Sequence, residues 1–159
     1  MAGTARRHPA PVRVADSKQR LRLWLRLLRA SRAVESDLRD RLRTQYGTTM
    51  PRFDVMAALY AAPGGLRMNE LSRKLKVSNG NVTGIVERLV SDGLVLRGAI
   101  EGDRRALLVK LTARGRRQFA AMAERHEGWV DEILSVYDTT EIEHLAALLD
   151  KVASEENNP

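Results

Sequence analysis

The chain has 159 residues, 43% hydrophobic and 30% charged, which is the composition of one folded domain rather than of a disordered chain. With no cysteine it has no disulfide, thiolate metal site or thiol catalysis, and His8, His126 and His144 fall in no metal-ligand spacing, so neither metal nor cofactor is expected. The net charge of +7 is unevenly spread: residues 1–66 carry 13 Lys and Arg against 5 Asp and Glu, residues 67–117 carry 12 against 5, and residues 118–159 carry 2 against 10. Two basic thirds and an acidic one imply a surface that meets a polyanion and a separate end that avoids it. Nucleic acid is the first candidate and an anionic membrane the second.

Residues 1–16 read as a flexible basic arm, rich in Pro and Arg and without apolar periodicity. The arm lacks the apolar stretch of a secretory signal; being Arg-rich and acid-poor, it leaves an organellar transit peptide as a lesser alternative. No apolar run approaches the roughly 20 residues that cross a bilayer. From about Ser17 to Tyr46, Leu21, Trp24, Leu25, Leu28, Ser31, Val34, Leu38 and Leu42 recur at spacings of three and four, which predicts a long helix. Leu23 and Leu27 add a second apolar side, so part of this helix is expected to pack on another subunit. Its Arg20, Arg22, Arg26 and Arg29 also allow a basic membrane-surface helix, but the mixed charge of the following turns favours packing.

Gly47-Thr48-Thr49 ends that helix and caps the next, where Pro51 suits the first turn. Phe53, Met56, Ala57 and Tyr60 form one face before Pro63-Gly64-Gly65 forces a turn. Two short helices follow: Asn69–Leu75, and a second opened by Ser78 as a side-chain cap with Val82, Ile85, Val86, Leu89 and Val90 inward. Gly93 stops it. The period then switches from 3.6 to 2, so Leu94–Arg97 and Leu107–Leu111 are expected to be strands joined by a polar loop from Gly98 to Arg105. Thr112 caps a second long helix reaching about Val136, and Thr140 with Glu143 forms a capping box for a last helix to about Ala153. The fold class is therefore mainly α with a small β-hairpin wing. Residues 17–159 are expected to form a single domain, with a winged helix-turn-helix lobe at 50–111 and outer helices at 17–46 and 112–155.

Helix, tight turn, helix and hairpin suit a duplex, because the major groove admits one helix. Ser78, Asn79, Asn81 and Thr83, with Val82 among them, open the second helix with short side chains that reach base edges or phosphates. The free N–H groups there also attract phosphate. Arg73, Lys76 and Arg88 flank it, with Lys74 nearby. Gly80 and Gly84 weaken this helix and argue for a close approach, to a neighbouring element or to DNA. Arg104 and Arg105 at the wing tip are candidates for the minor groove, Asp103 for an anchor that orients an arginine, and Arg97 on the preceding strand is a further DNA-binding candidate.

The stretch from Leu66 to Thr112 resembles the MarR family of bacterial transcriptional regulators. The matching pieces are Leu66-Arg67-Met68-Asn69-Glu70-Leu71-Ser72, Val77-Ser78, the run Val86–Val95, the D-x-R pattern at Asp103-Arg104-Arg105, and Leu111-Thr112. The order and length of the outer helices also fit. Many relatives carry a second Arg and a Pro where this chain has Gly98 and Ala99. The resemblance implies a cytoplasmic, nucleoid-associated repressor that binds a palindromic operator on double-stranded DNA as a homodimer held by the dimerisation helices at 17–46 and 112–155. It also implies a small-molecule effector, such as an aromatic acid, a phenolic or its coenzyme A thioester, that releases the DNA. Candidates to line the effector pocket are Trp24, Leu28, Ser31, Arg52, Phe53, Met56, Tyr60, Met122 and His126, with Trp129 beside them and Arg26, Arg29 or Arg52 to pair an anion. Some members of the family sense oxidants through cysteine; without cysteine, the signal here is expected to be a non-covalent ligand or another kind of signal. A sequence-nonspecific architectural DNA-binding protein is the alternative, and a winged domain used only for protein contacts is another. An enzyme is not expected, because Glu124, Glu127 and Asp131 on one helix face lack a histidine, a glycine loop or metal spacing.

Overall fold

The computed structural model describes residues 14–100 and 103–155, with side chains at 16–98 and 108–152. Most of the basic arm therefore lies outside the described residues. The elements are α1 (Val14–Tyr46), α2 (Met50–Tyr60), β1 (Leu66–Arg67), α3 (Met68–Leu75), α4 (Asn79–Ser91), β2 (Val95–Ile100), β3 (Asp103–Leu111), α5 (Ala113–Leu134) and α6 (Thr139–Glu155). The chain divides into two compact units, Met1–Asp37 and Leu38–Pro159. In the first, Leu21, Leu23, Trp24 and Leu25 of α1 are all more than half exposed.

In the second unit, α2 packs against α3, α4 and α5 and against β3, and α3 crosses α4. Leu42, Val55, Leu59, Leu71, Val82, Val86, Leu89 and Val109 are completely or almost completely buried there. Burying each such side chain contributes about 1.5–3 kcal/mol. Thr49 accepts a hydrogen bond from Arg52 N–H and Pro51 sits in the first turn of α2, as the sequence suggests. α3 opens differently: Arg67 N–H donates to the Glu70 carboxylate (2.7 Å).

The sheet has the order β1-β3-β2 and is antiparallel throughout. β2 and β3 pair from Val95 opposite Leu111 to Ile100 opposite Asp103, with a register shift between Ala99 and Ile100. The sequence pattern placed Gly98–Arg105 in a loop; instead both strands run on, and the backbone of Asp103, Arg104 and Arg105 belongs to β3. β1, unforeseen, pairs Leu66 with Val109 and Arg67 with Leu108, so β3 is the central strand.

Two helix starts and one side chain depart from expectation. The Ser78 side chain makes no cap hydrogen bond; its carbonyl accepts from Val82 N–H instead. The last helix is opened by Asp138 and Glu141, which exchange backbone-to-carboxylate bonds of 2.9 and 3.0 Å, not by Thr140 and Glu143. Val90, expected inside, is 38% exposed. Gly93 does end α4, with φ +70°, where a side chain would be strained.

Candidate nucleic-acid interface

The turn from α3 into α4 is tight because Lys76 takes a left-handed conformation, φ 54°, and Val77 N–H bonds back to Ser72. α4 then turns Val82, Val86 and Leu89 into the core. Its other sides are wet: Asn79, Gly80, Asn81, Gly84, Glu87 and Arg88 are exposed and Thr83 is half-exposed. The Thr83 hydroxyl donates to Asn79 C=O (2.8 Å), which leaves its oxygen free to accept. Since Ser78 does not cap the helix, the N–H groups of Asn79, Gly80 and Asn81 lack helix partners and favour an anion at this end.

Arg73 on α3 and Lys76 in the turn are exposed around this end, and Arg88 is exposed in the last turn of α4. Arg97 on β2 lies 3.9 Å from Glu87 on α4, an ion pair that sequence spacing did not reveal. Val82 is the exception among the expected contacts. It is fully buried, so it holds α4 to the core and does not belong to the surface. The side chains of Asp103, Arg104 and Arg105 lie outside the described ones. A cavity of about 570 Å³ opens between α2 and α4, where Pro51, Asp54, Leu75, Asn81 and Arg88 meet; none of the residues expected to hold an effector lines it.

The far end of α4 is tied down from two sides. Arg52 of α2 forms an ion pair with the Asp92 carboxylate, and Arg114 of α5 donates to the Asp92 carbonyl (3.2 Å). Arg52 meets Asp92 through Nη2, while its buried Nε has no hydrogen-bond partner among the described residues. The Thr112 hydroxyl donates to Gly93 C=O (2.9 Å) and accepts from Gly115 N–H (2.9 Å), joining the start of α5 to the end of α4. Gly115 sits so close to this turn that a Cβ would fall 2.0 Å from the Leu94 carbonyl oxygen.

Several expected pocket residues do meet, on the α2–α5 contact. The Phe53 ring stacks on His126 (centroids 4.6 Å) and contacts Phe119 (5.2 Å), and Phe119 contacts Tyr60 (5.0 Å). Arg116 lies over the Tyr60 ring at 4.6 Å, a cation–π contact. Trp129 continues the row towards Tyr46. Phe53, Met56 and Met122 are buried, so they act as core. Burial holds the His126 pKa below its ordinary value, partly offset by the negative charge of Asp54. Trp24, Leu28 and Ser31 belong to the other unit, where Trp24 is 56% exposed.

Two helices joined by a left-handed turn, a wet polar helix beside a basic strand, and a closed core behind them define a winged helix-turn-helix DNA-binding protein. The MarR family model matches residues 46–106. The chain is 31% identical over 128 residues to the HTH-type transcriptional regulator PecS of Dickeya dadantii, covering 79% of this chain and 76% of that one. A MarR family regulator from Silicibacter pomeroyi superposes with a TM-score of 0.78 at 32% identity, over 91% of this chain and all of that one. A cysteine-to-serine mutant of E. coli MarR complexed with operator DNA superposes with a TM-score of 0.69 at 27% identity, over 84% and 95% of the two chains. The chain belongs to the MarR family and is a DNA-binding transcriptional regulator, not an enzyme. No described helix is long and apolar enough to cross a membrane.

Proposed function

We propose that this protein is a repressor that binds a palindromic operator as a homodimer, one half-site per subunit, and is released by a small-molecule effector. The observation that carries the reading is α4: its outer side is polar, exposed and rich in free N–H groups, while its inner side closes the core. In this reading Ser78, Asn79, Asn81 and Thr83 meet base edges or the first phosphate, and Arg73, Lys76 and Arg88 meet flanking phosphates. Arg97, at the base of the wing, joins the DNA-facing surface beside α4, and Arg104 and Arg105 follow the backbone and minor groove from the wing, with Asp103 orienting an arginine. The homodimer is supported by α6, whose Ile142, Leu145, Leu148, Leu149 and Val152 are all exposed on an otherwise acidic helix. The effector reading is supported by the ring-lined contact of α2 with α5, whose polar members are His126, Tyr60 and Arg116.

The test is selection of bound duplexes from a randomised pool, with scrambled DNA as competitor at fixed salt. The proposal expects enrichment of an inverted repeat; uniform recovery of all sequences overturns it in favour of architectural binding. Asn81→Ala is expected to relax one base position by about 1–3 kcal/mol. Arg105→Ala is expected to weaken all duplexes alike, since a wing contact reads backbone and shape.

A further inference from the structure

α4 carries a single acidic residue, Glu87, on the side of the lobe that otherwise collects cations. On a helix of 3.6 residues per turn, Gly80, Gly84, Glu87 and Ser91 share the face opposite Val82, Val86 and Leu89. Among the described residues a Cβ at Gly80 or Gly84 would meet nothing within 4 Å, so no packing there asks for either glycine. Two turns of that face are therefore bare, and the first side chain to project from it is Glu87, 61% exposed. Its Oε1 lies 3.9 Å from Nη2 of Arg97, longer than a hydrogen bond, so the pair offsets charge while the carboxylate keeps its capacity to accept.

An unpaired acid facing phosphates is repelled, and Arg97 relieves that cost. In the major groove a carboxylate has one well-matched partner, the N4 amino group of cytosine; guanine and thymine present acceptors, and adenine sets an acceptor beside its donor. Resting on the operator-binding reading above, we propose that Glu87 is a specificity-determining residue. It accepts a hydrogen bond from cytosine N4 in each half-site, at a depth that Gly80 and Gly84 allow, with Arg97 orienting the carboxylate and balancing its charge.

The test repeats the randomised-duplex selection with the full chain and with Glu87→Gln and Glu87→Ala, both exposed changes whose folding is checked by circular dichroism. The wild type is expected to enrich an inverted repeat with a fixed C·G pair in each half. Both variants are expected to lose that preference by about tenfold or more while keeping the other positions, and Glu87→Gln to move it towards adenine, which an amide pairs on two edges. If both variants enrich the wild-type motif unchanged at every position, even with higher affinity, Glu87 merely repels the backbone and the proposal fails. A wild type that enriches no inverted repeat overturns the operator reading itself, a result distinct from an unchanged motif.

Discussion

The winged lobe and α6 treat apolar side chains in opposite ways. From Val55 to Val109 the lobe buries its large aliphatic residues against α2, α4 and the sheet, many of them completely. α6 has equally apolar residues at helical spacing, yet Ile142, Leu145, Leu148, Leu149 and Val152 stand between 42% and 72% exposed. The charge runs with this division, since the lobe is basic and residues 118–159 are acidic. A face of that size left in water is costly and marks an association surface. The lobe is thus complete within one chain, whereas α6 leaves its apolar face uncovered, as the proposed homodimer requires.

The sharpest way to break the lobe is at Gly115. A side chain there strikes the Leu94 backbone, which Thr112 already fixes, so there is little room to yield. Gly115→Val is expected to cost about 3 kcal/mol or more, read as a lowered midpoint in urea. Wild-type stability in that variant would mean that the α4–α5 junction is loose. The matching change on the other side is Leu145→Glu with Leu149→Glu. Both positions are exposed, so the lobe is expected to keep its circular dichroism signal while light scattering reports monomers instead of dimers. Unfolding together with dissociation would instead mean that the lobe depends on association. A milder cut is Thr112→Ala, which removes the hydroxyl that caps α5 and holds Gly93 C=O; a loss of about 1–2 kcal/mol is expected by denaturation.

The sequence shows this division unevenly, for physical reasons. Helices with a buried stripe, such as α4 with Val82, Val86 and Leu89, announce themselves because the pattern repeats over several turns. β1 does not, because Leu66 and Arg67 are too few to alternate and their pairing with Val109 and Leu108 depends on chain far away. The left-handed Lys76 carries no composition signal, since lysine rarely takes that conformation. Thr140 and Asp138 both sit near the start of α6 with a glutamate three residues on, and only the backbone path selects Asp138. The basic lobe and the polar opening of α4 were legible as a binding surface. The pairing of Glu87 with Arg97 was not, nor the capture of Arg52 by Asp92, because side chains that meet across elements leave no mark in local spacing. Gly115 looks like a flaw in a helix until Leu94 is placed beside it.

The smallest expected effect tests how far the lobe's closed character reaches along α5. His126 stacks on Phe53, half-buried, and burial favours its neutral form while Asp54 opposes that only in part. Its folded pKa therefore lies below the unfolded value of about 6.5. As pH falls through that region the unfolded chain takes up its proton first, so the unfolded state gains and stability drops. Above it both states are neutral and the residue adds no slope. Urea midpoints of the wild type, compared with His126→Gln, are therefore expected to diverge between neutral and mildly acidic pH, with the wild type losing stability faster on acidification. Parallel curves would mean that water reaches the ring freely and that the α2–α5 contact is as open as α6. A steeper loss in the wild type extends the closed core of the lobe to the middle of α5.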